Sequence, residues 1–183
     1  MLKKNIPIAA LLFAGLGSVG NLSLANTTDI MATTVPASIC QPLTSSDASK
    51  VRLSNGQWTF TGSAVGKVNF YCPYLRNAWH MSSDGNYNSM TSYRILYRDS
   101  DGTGNAAQVT TRFFRRGENG IVPAGSTWDS NNYTDSGNNS RIHNNSHSLS
   151  YNGNYYFFVT IYRSNSTQNP AFSGIDFWMP TAG

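Results

Sequence analysis

The sequence predicts an all-β fold, a single antiparallel β-sandwich with a jelly-roll-like arrangement. Three observations support this prediction. Segments that alternate apolar and polar residues recur along residues 50–183, with turn residues roughly every eight to twelve positions. Aromatic and β-branched residues, which suit a pleated sheet, fill these segments. After the apolar N-terminus, no stretch has the 3.6-residue apolar period of a helix of useful length.

The first 25 residues have the pattern of a secretory signal peptide. Lys3 and Lys4 form a basic start, an apolar run extends to Val19, and small residues precede Ala25. The apolar run is too short for a comfortable membrane span, and no second apolar segment follows it. We therefore expect a cleaved signal over residues 1–25 and a soluble mature chain, secreted or periplasmic, with no membrane span.

The charge of the chain bears on its partners. The formal charge is +4 over 183 residues, and it falls to +2 when Lys3 and Lys4 leave with the signal. So small a positive charge does not indicate a nucleic-acid partner.

The two cysteines, Cys40 and Cys72, both follow the predicted signal. An even pair in an exported chain most simply forms one disulfide bond. The alternative is a metal or thiol site, but no His or Cys neighbours stand at metal-ligand spacing nearby. Residues 26–49 are rich in Thr, Ser, Ala and Pro, and we expect an extended arm pinned at Cys40, ahead of the sandwich of residues 50–183.

Alternation and turn residues mark the first strands. Asn55-Gly56 predicts a type I′ hairpin turn, because both residues tolerate positive φ. Val68 and Phe70 alternate with polar residues in the next strand. Residues 74–92 are expected to form a long loop.

A second pair of strands flanks residues 100–105. Side chains on alternate positions share one face of a strand, so each strand has a face directed at the core. These core-facing sets are Tyr93, Ile95 and Tyr97 on the first strand, and Val109, Thr111 and Phe113 on the return strand. Residues 117–125 read as turn-rich. Residues 128–150 are dominated by Asn and Ser, which favours disorder or a long surface loop.

The strongest strand signal is residues 151–163, after which residues 171–179 form the last predicted strand. Tyr155, Phe157, Val159 and Ile161 lie on one face, whereas Tyr156, Phe158, Thr160 and Tyr162 lie on the other. Two interpretations remain open. The strand is interior and covered on both faces, or the Tyr156 and Tyr162 side is an exposed aromatic platform for a ligand.

Candidate ligand contacts are aromatic residues in polar surroundings. Trp79 with His80, and Trp128, neighbour Asn, Asp and Ser. Such rings stack on the apolar side of a sugar while amides and carboxylates bind its hydroxyl groups. The alternative is that these aromatic residues belong to the core or anchor loops.

A candidate calcium loop covers residues 99–105. Oxygen donors recur at every second residue in Asp99, Asp101 and Thr103, and the intervening glycines allow a tight bend. Hard cations collect such oxygens, although the loop lacks the downstream glutamate of an EF-hand. A plain turn uses the same residues, so both interpretations stay open, and no other cofactor is expected.

No catalytic residue is indicated. A glycosidase needs two opposed carboxylates, yet Glu118 is the chain's one glutamate and the aspartates mostly neighbour Ser or Gly. Neither G-x-S-x-G nor H-E-x-x-H occurs after the signal. His80, beside Trp79, is a candidate general base, but no recognisable nucleophile accompanies it.

Several short motifs resemble those of a group of small exported β-sandwich proteins of Gram-negative bacteria. The resemblance implies an exported β-sandwich and assigns no site residue. Its motifs are Cys40-Gln41-Pro42, Trp58, Cys72-Pro73, Tyr97-Arg98-Asp99-Ser100-Asp101-Gly102 and Phe172-Ser173-Gly174-Ile175.

The functional hypothesis is an exported, non-enzymatic module that binds or scaffolds at the cell exterior, with a cell-surface glycan as one candidate ligand. The alternatives are a self-associating structural or adhesive surface protein, since low charge and Asn-rich strands favour edge pairing, and a small secreted hydrolase.

Overall fold

The computed structural model describes residues 29–74, 89–149 and 153–180. The predicted signal segment and most of the loop predicted at residues 74–92, Trp79 and His80 included, lie outside these ranges. Residues 151 and 152, at the start of the strand signal of residues 151–163, lie outside them as well.

The described residues form two antiparallel sheets, which confirms the predicted all-β sandwich. The strands are β1 (Asp29–Pro36), β2 (Gln41–Pro42), β3 (Val51–Ser54), β4 (Gln57–Phe60), β5 (Gly66–Pro73), β6 (Ser89–Asp99), β7 (Ala107–Gly117), β8 (Gly120–Asp129), β9 (Gly137–Ser148), β10 (Asn154–Arg163) and β11 (Ala171–Pro180).

The strand order shows a jelly roll. Sheet A has the order β3-β4-β11-β6-β9, with β1 also paired to β11, and sheet B has the order β2-β5-β10-β7-β8. Within them, the orders β4-β11-β6-β9 and β5-β10-β7-β8 are those of an eight-stranded jelly roll.

Strand β10 is the central strand of sheet B; its inner face is buried and its outer face is partly exposed, which differs from the interpretation of a strand covered on both faces. It is hydrogen-bonded to β5 on one side and to β7 on the other over nearly its whole length. Its inward face is buried, and the side chains on it are Tyr155, Phe157, Val159 and Ile161. The predicted inward faces of β6 and β7 are buried as well.

Aromatic rings join the two sheets at the centre of the core. The ring of Phe157 lies 4.7 Å from that of Phe113 in sheet B and 5.0 Å from that of Tyr93 in sheet A. Phe113 also stacks on Tyr155 at 5.2 Å. Each fully buried aromatic ring contributes roughly 1.5–3 kcal/mol through loss of apolar surface from water. This cluster therefore holds the sandwich together at its midpoint.

The N-terminal segment differs from the extended arm expected for residues 26–49. From Asp29 onward β1 is extended but pairs with β11, so it is a strand of sheet A. A short helix, α1 (Ser45–Lys50), follows β2. The hydroxyl oxygen of Thr44 caps this helix by accepting a hydrogen bond from the Asp47 amide at 3.0 Å. A Thr directly before a helix is a sequence signal for the helix start.

Residues 128–150 are not the disordered or loop segment that the sequence favours. Strand β8 runs to Asp129, and β9 pairs with β6 along nearly its whole length. Backbone hydrogen bonds stabilise an edge strand whatever its side chains are, so low hydrophobicity does not exclude one. Asn145 of β9 is buried and donates its side-chain amide to the Ala124 carbonyl of β8 at 3.1 Å, which links the ends of the two sheets.

The Asn55-Gly56 turn and the disulfide bond are both confirmed. Asn55 and Gly56 have φ of 50° and 75°, as the hairpin requires. Cys40 and Cys72 are bonded and buried. The bond ties β5 to the segment that precedes β2.

Within the described ranges, no helix is long and apolar enough to cross a membrane.

Replacing both Cys40 and Cys72 by Ala should lower the free energy of unfolding by about 3–4 kcal/mol. The disulfide joins residues 32 positions apart, and its loss gives the unfolded chain more conformational freedom. Urea unfolding of the oxidised chain and of the double variant measures the difference. A reducing agent should shift the midpoint of the wild type and leave that of the variant unchanged; equal midpoints for both oxidised chains contradict the prediction.

Candidate functional site

Trp128 is a core residue, which corrects its assignment as a ligand contact. Its side chain is 2% exposed, and its ring packs against Tyr97 at 4.9 Å and Tyr133 at 5.9 Å. It lies on β8 with its ring directed into the sandwich, so it has no face to offer a sugar. Trp79 and His80 lie outside the described residues.

The Asp99 to Asn105 loop is organised by hydrogen bonds to its own backbone. The two carboxylate oxygens of Asp101 accept hydrogen bonds from the Ala106 amide at 2.7 Å and the Ala107 amide at 3.1 Å. Gly104 packs so closely on the Asp101 side chain that a Cβ would clash with it. Of the two interpretations, a calcium loop and a plain turn, these contacts favour the plain turn.

The proposed calcium ligands differ in their exposure to solvent. Asp99 is fully buried, whereas Thr103 is exposed. Among the described residues no group of three or more His, Cys, Asp or Glu side chains could hold a metal ion. The structure therefore gives the calcium interpretation of Asp99, Asp101 and Thr103 no support.

Asp99 forms a buried polar link between β6 and the turn after β8. The hydroxyl of Ser130 donates to the Asp99 carboxylate and accepts from the Val109 amide at 2.9 Å. Burial raises the pKa of Asp99 from 3.8 to about 6, although the Ser130 hydrogen bond partly offsets this effect. Its role in this arrangement is structural.

Four aromatic side chains share the outer face of sheet B, and we call them the aromatic platform: Tyr71, Phe114, Tyr156 and Phe158. The register explains why they meet. Tyr156 of β10 lies opposite Phe114 of β7, and Phe158 lies opposite Tyr71 of β5. Directly opposite residues in antiparallel strands point to the same side of the sheet, so the four rings form one group.

The rings of the platform are in contact and reach solvent. Tyr156 lies 4.9 Å from Tyr71 and stacks at 5.5 Å on Phe114, with 12° between the ring planes. Phe158 meets Phe114 edge-on at 6.2 Å. Tyr71 is 40% exposed, and the other three are partly exposed. Burial raises the pKa of the Tyr156 hydroxyl, so near neutral pH it stays protonated and can donate a hydrogen bond.

Polar and basic groups border the platform. The Arg112 guanidinium lies 5.6 Å from the centre of the Phe114 ring and is steadied by a hydrogen bond from Nε to the Gly125 carbonyl at 3.2 Å. Arg116 and Asn154 are exposed beside a groove of about 560 Å³ that the platform helps to line. An open groove with an aromatic floor and donors at its rim suits a flat ligand with an apolar face and hydroxyl groups.

Sequence reasoning found only part of this site. It identified the outward aromatic residues of β10 as one of two interpretations, but it did not single out Tyr71 or Phe114. The available signal was that both are aromatic residues out of phase with the buried set on their own strands. Because β5 and β7 are far from β10 in sequence, their register with it was not readable.

Asp99→Asn should reduce the pH dependence of stability. Because the folded pKa is raised, the folded state keeps the Asp99 proton at pH values where the unfolded chain has lost it. This contribution to stability is complete below pH 3.8 and is lost as pH rises through about 6. Melting temperatures measured across that range should fall more steeply with rising pH for the wild type than for the variant. Parallel curves contradict the assignment.

The sequence matches no protein-family model and no curated protein. Among solved structures, the chain is similar to the xylan-binding module CBM86 from Roseburia intestinalis, with a TM-score of 0.48 and 11% identity over 80% of this chain and 94% of that one. It is also similar to the xylan-binding module CBM15, with a TM-score of 0.44 and 12% identity over 85% and 98% of the two chains. The Cry4Aa toxin from Bacillus thuringiensis gives a TM-score of 0.42 and 16% identity over 82% of this chain and 24% of that one. At such TM-scores these likenesses carry no argument about this chain.

Proposed function

We propose that this chain is an exported, non-enzymatic carbohydrate-binding module and that it binds its ligand on the aromatic platform. The observation that supports the proposal is the contact between the Tyr71, Tyr156 and Phe114 rings on a solvent-facing sheet. A pyranose ring carries C–H groups on its flat side and hydroxyl groups on its edge. An aromatic surface with hydrogen-bond donors at its rim complements both.

The extent of the platform favours a saccharide chain over a monosaccharide. Its rings lie on three adjacent strands, β5, β10 and β7, which span roughly 10 Å at the usual strand spacing. This distance exceeds the width of one sugar ring. We therefore infer an oligosaccharide or polysaccharide ligand whose units stack along the row from Tyr71 to Phe114.

Export is part of the proposal. The disulfide is of the kind that persists in oxidising compartments, outside the cytosol of most organisms. The signal pattern of residues 1–25 is consistent with such a destination. A module that is secreted or periplasmic would meet glycans of cell surfaces or of the surroundings.

Self-association through β9 is the second candidate function. This strand has 12 residues and stands at the end of the strand order of sheet A. Ile142, near its middle, is 58% exposed. Unpaired edge strands of this length are sites at which another chain can add.

Tyr156→Ala should weaken binding to a soluble polysaccharide by about tenfold or more, because it removes the central ring of the platform. Affinity electrophoresis of the chain without its signal, against a panel of xylan, galactan, glucan and mannan, measures the retardation. Tyr156→Phe should keep most of the binding if ring stacking dominates.

Leu53→Ala is the matched control for the glycan experiment. Leu53 is 42% exposed on sheet A, so its truncation also removes exposed apolar surface without touching the platform. It should bind like the wild type. Absence of retardation by any polysaccharide, or equal retardation of the Tyr156→Ala and wild-type chains, would overturn the proposal.

Ile142→Lys should shift the chain toward the monomer if β9 mediates self-association, because a charge on a strand edge opposes pairing. Sedimentation velocity over a range of concentrations measures the distribution. A wild type that remains monomeric at the highest concentration argues against the second candidate.

A further inference from the structure

A second groove, of about 450 Å³, lies on the outer face of sheet A and has a different chemistry. It is bordered by the β3–β4 hairpin and by the loop between β10 and β11. The register aligns four residues in one row across four strands, in the order Arg52, Thr59, Ala171 and Arg98. We call this the arginine groove.

The row brings two guanidinium groups toward the same space. Aligned residues of antiparallel strands point to the same side, so Arg52 and Arg98 lie on one face with their Cα atoms roughly 14 Å apart, three strand spacings. Between them, Thr59 lines the groove, whereas Ala171 is fully buried. Two long arginine side chains can close much of that distance above the short side chain of Thr59.

A third arginine lies beneath the groove. Arg163 is 3% exposed and donates hydrogen bonds to the carbonyls of Gly62 at 2.6 Å, Ala64 at 2.6 Å and Gln168 at 3.0 Å. Its guanidinium lies 4.7 Å from the centre of the Phe60 ring. These contacts join the β4–β5 loop to the β10–β11 loop, and they place a buried positive charge beside the groove.

Among the described residues, this charge has no carboxylate partner. The described residues that line the groove include no Asp or Glu, and the two ion pairs among the described residues lie elsewhere. Arg98 donates from Nε to the Asn169 carbonyl at 2.7 Å. Within the described ranges, neither Arg52 nor the Nη atoms of Arg98 make a further hydrogen bond. Burial lowers the pKa of Arg163.

We propose that the arginine groove binds an oxyanion, namely a carboxylate, sulfate or phosphate group held between Arg52 and Arg98. Guanidinium groups present parallel N–H donors that match the oxygens of such anions, and charge-assisted hydrogen bonds of this kind are strong. Hydroxyl and amide groups of Thr59, Thr167 and Asn169 also line the groove. The site is on the sheet opposite the aromatic platform, so it does not depend on the proposed glycan function.

The test titrates inorganic phosphate, sulfate and glucuronate into the ¹⁵N-labelled chain at constant ionic strength, with chloride as the balancing anion. We expect saturable shifts of the amide signals of Asn55, Gln57 and Thr167, which border the groove. Arg52→Ala should weaken the binding by about tenfold, because it removes one of the two guanidinium groups that hold the anion. Arg52 is exposed, so its truncation leaves the fold intact. Saturation with the tetrahedral anions alone, or with glucuronate alone, would identify the source of the oxyanion.

Lys67→Ala is the matched control, since it removes an exposed positive charge from the other sheet at a position that lines neither groove. It should bind the three anions like the wild type. Linear, unsaturated shifts with all three anions, or the same affinity in the Arg52→Ala and Lys67→Ala chains, would overturn the proposal. Tyr156→Ala should leave anion binding unchanged, so failure of the glycan proposal and failure of this one are separate results.

Discussion

Strand β10 is hydrogen-bonded on both sides, and the rest of the sandwich is built on that double pairing. Because its side chains alternate, one face supplies Tyr155, Phe157, Val159 and Ile161 to the core while the other presents Tyr156 and Phe158. A slip of one residue against either neighbour would exchange these faces. Burial of the inner set therefore fixes the register, and the register in turn fixes which rings meet on the outer surface.

The two candidate sites share one structural principle. In each, residues from strands distant in sequence are aligned by antiparallel register, and one side of a sheet collects them. On sheet B the row is aromatic and suits a ligand with a flat apolar side. On sheet A the row ends in two arginines and suits a negative charge. The fold thus keeps the two chemistries on opposite outer faces with the core between them.

The sequence was informative wherever the deciding interaction is local. Alternation identified the buried faces of β6, β7 and β10, and Asn55-Gly56 identified its turn because positive φ is a property of those residues. Strand β9 was missed since its side chains are polar and its pairing with β6 is made by the backbone. Tyr71 and Phe114 were missed because only long-range register brings them to Tyr156. The role of the Asp101 carboxylate was ambiguous in the sequence, because its oxygens can bind a cation or accept hydrogen bonds from the amides of Ala106 and Ala107.

Tyr71 and Cys72 are neighbours in β5, one directed outward to the platform and the other inward to the disulfide bond. Strand β2, the outer neighbour of β5, has only two residues, so on that side of β5 the disulfide bond supplements a short backbone ladder. On the other side β5 pairs with β10, and Tyr71 lies opposite Phe158 in that pairing. Reduction of the bond would free the segment that precedes β2 while the pairing with β10 still holds Tyr71 at the edge of the aromatic platform.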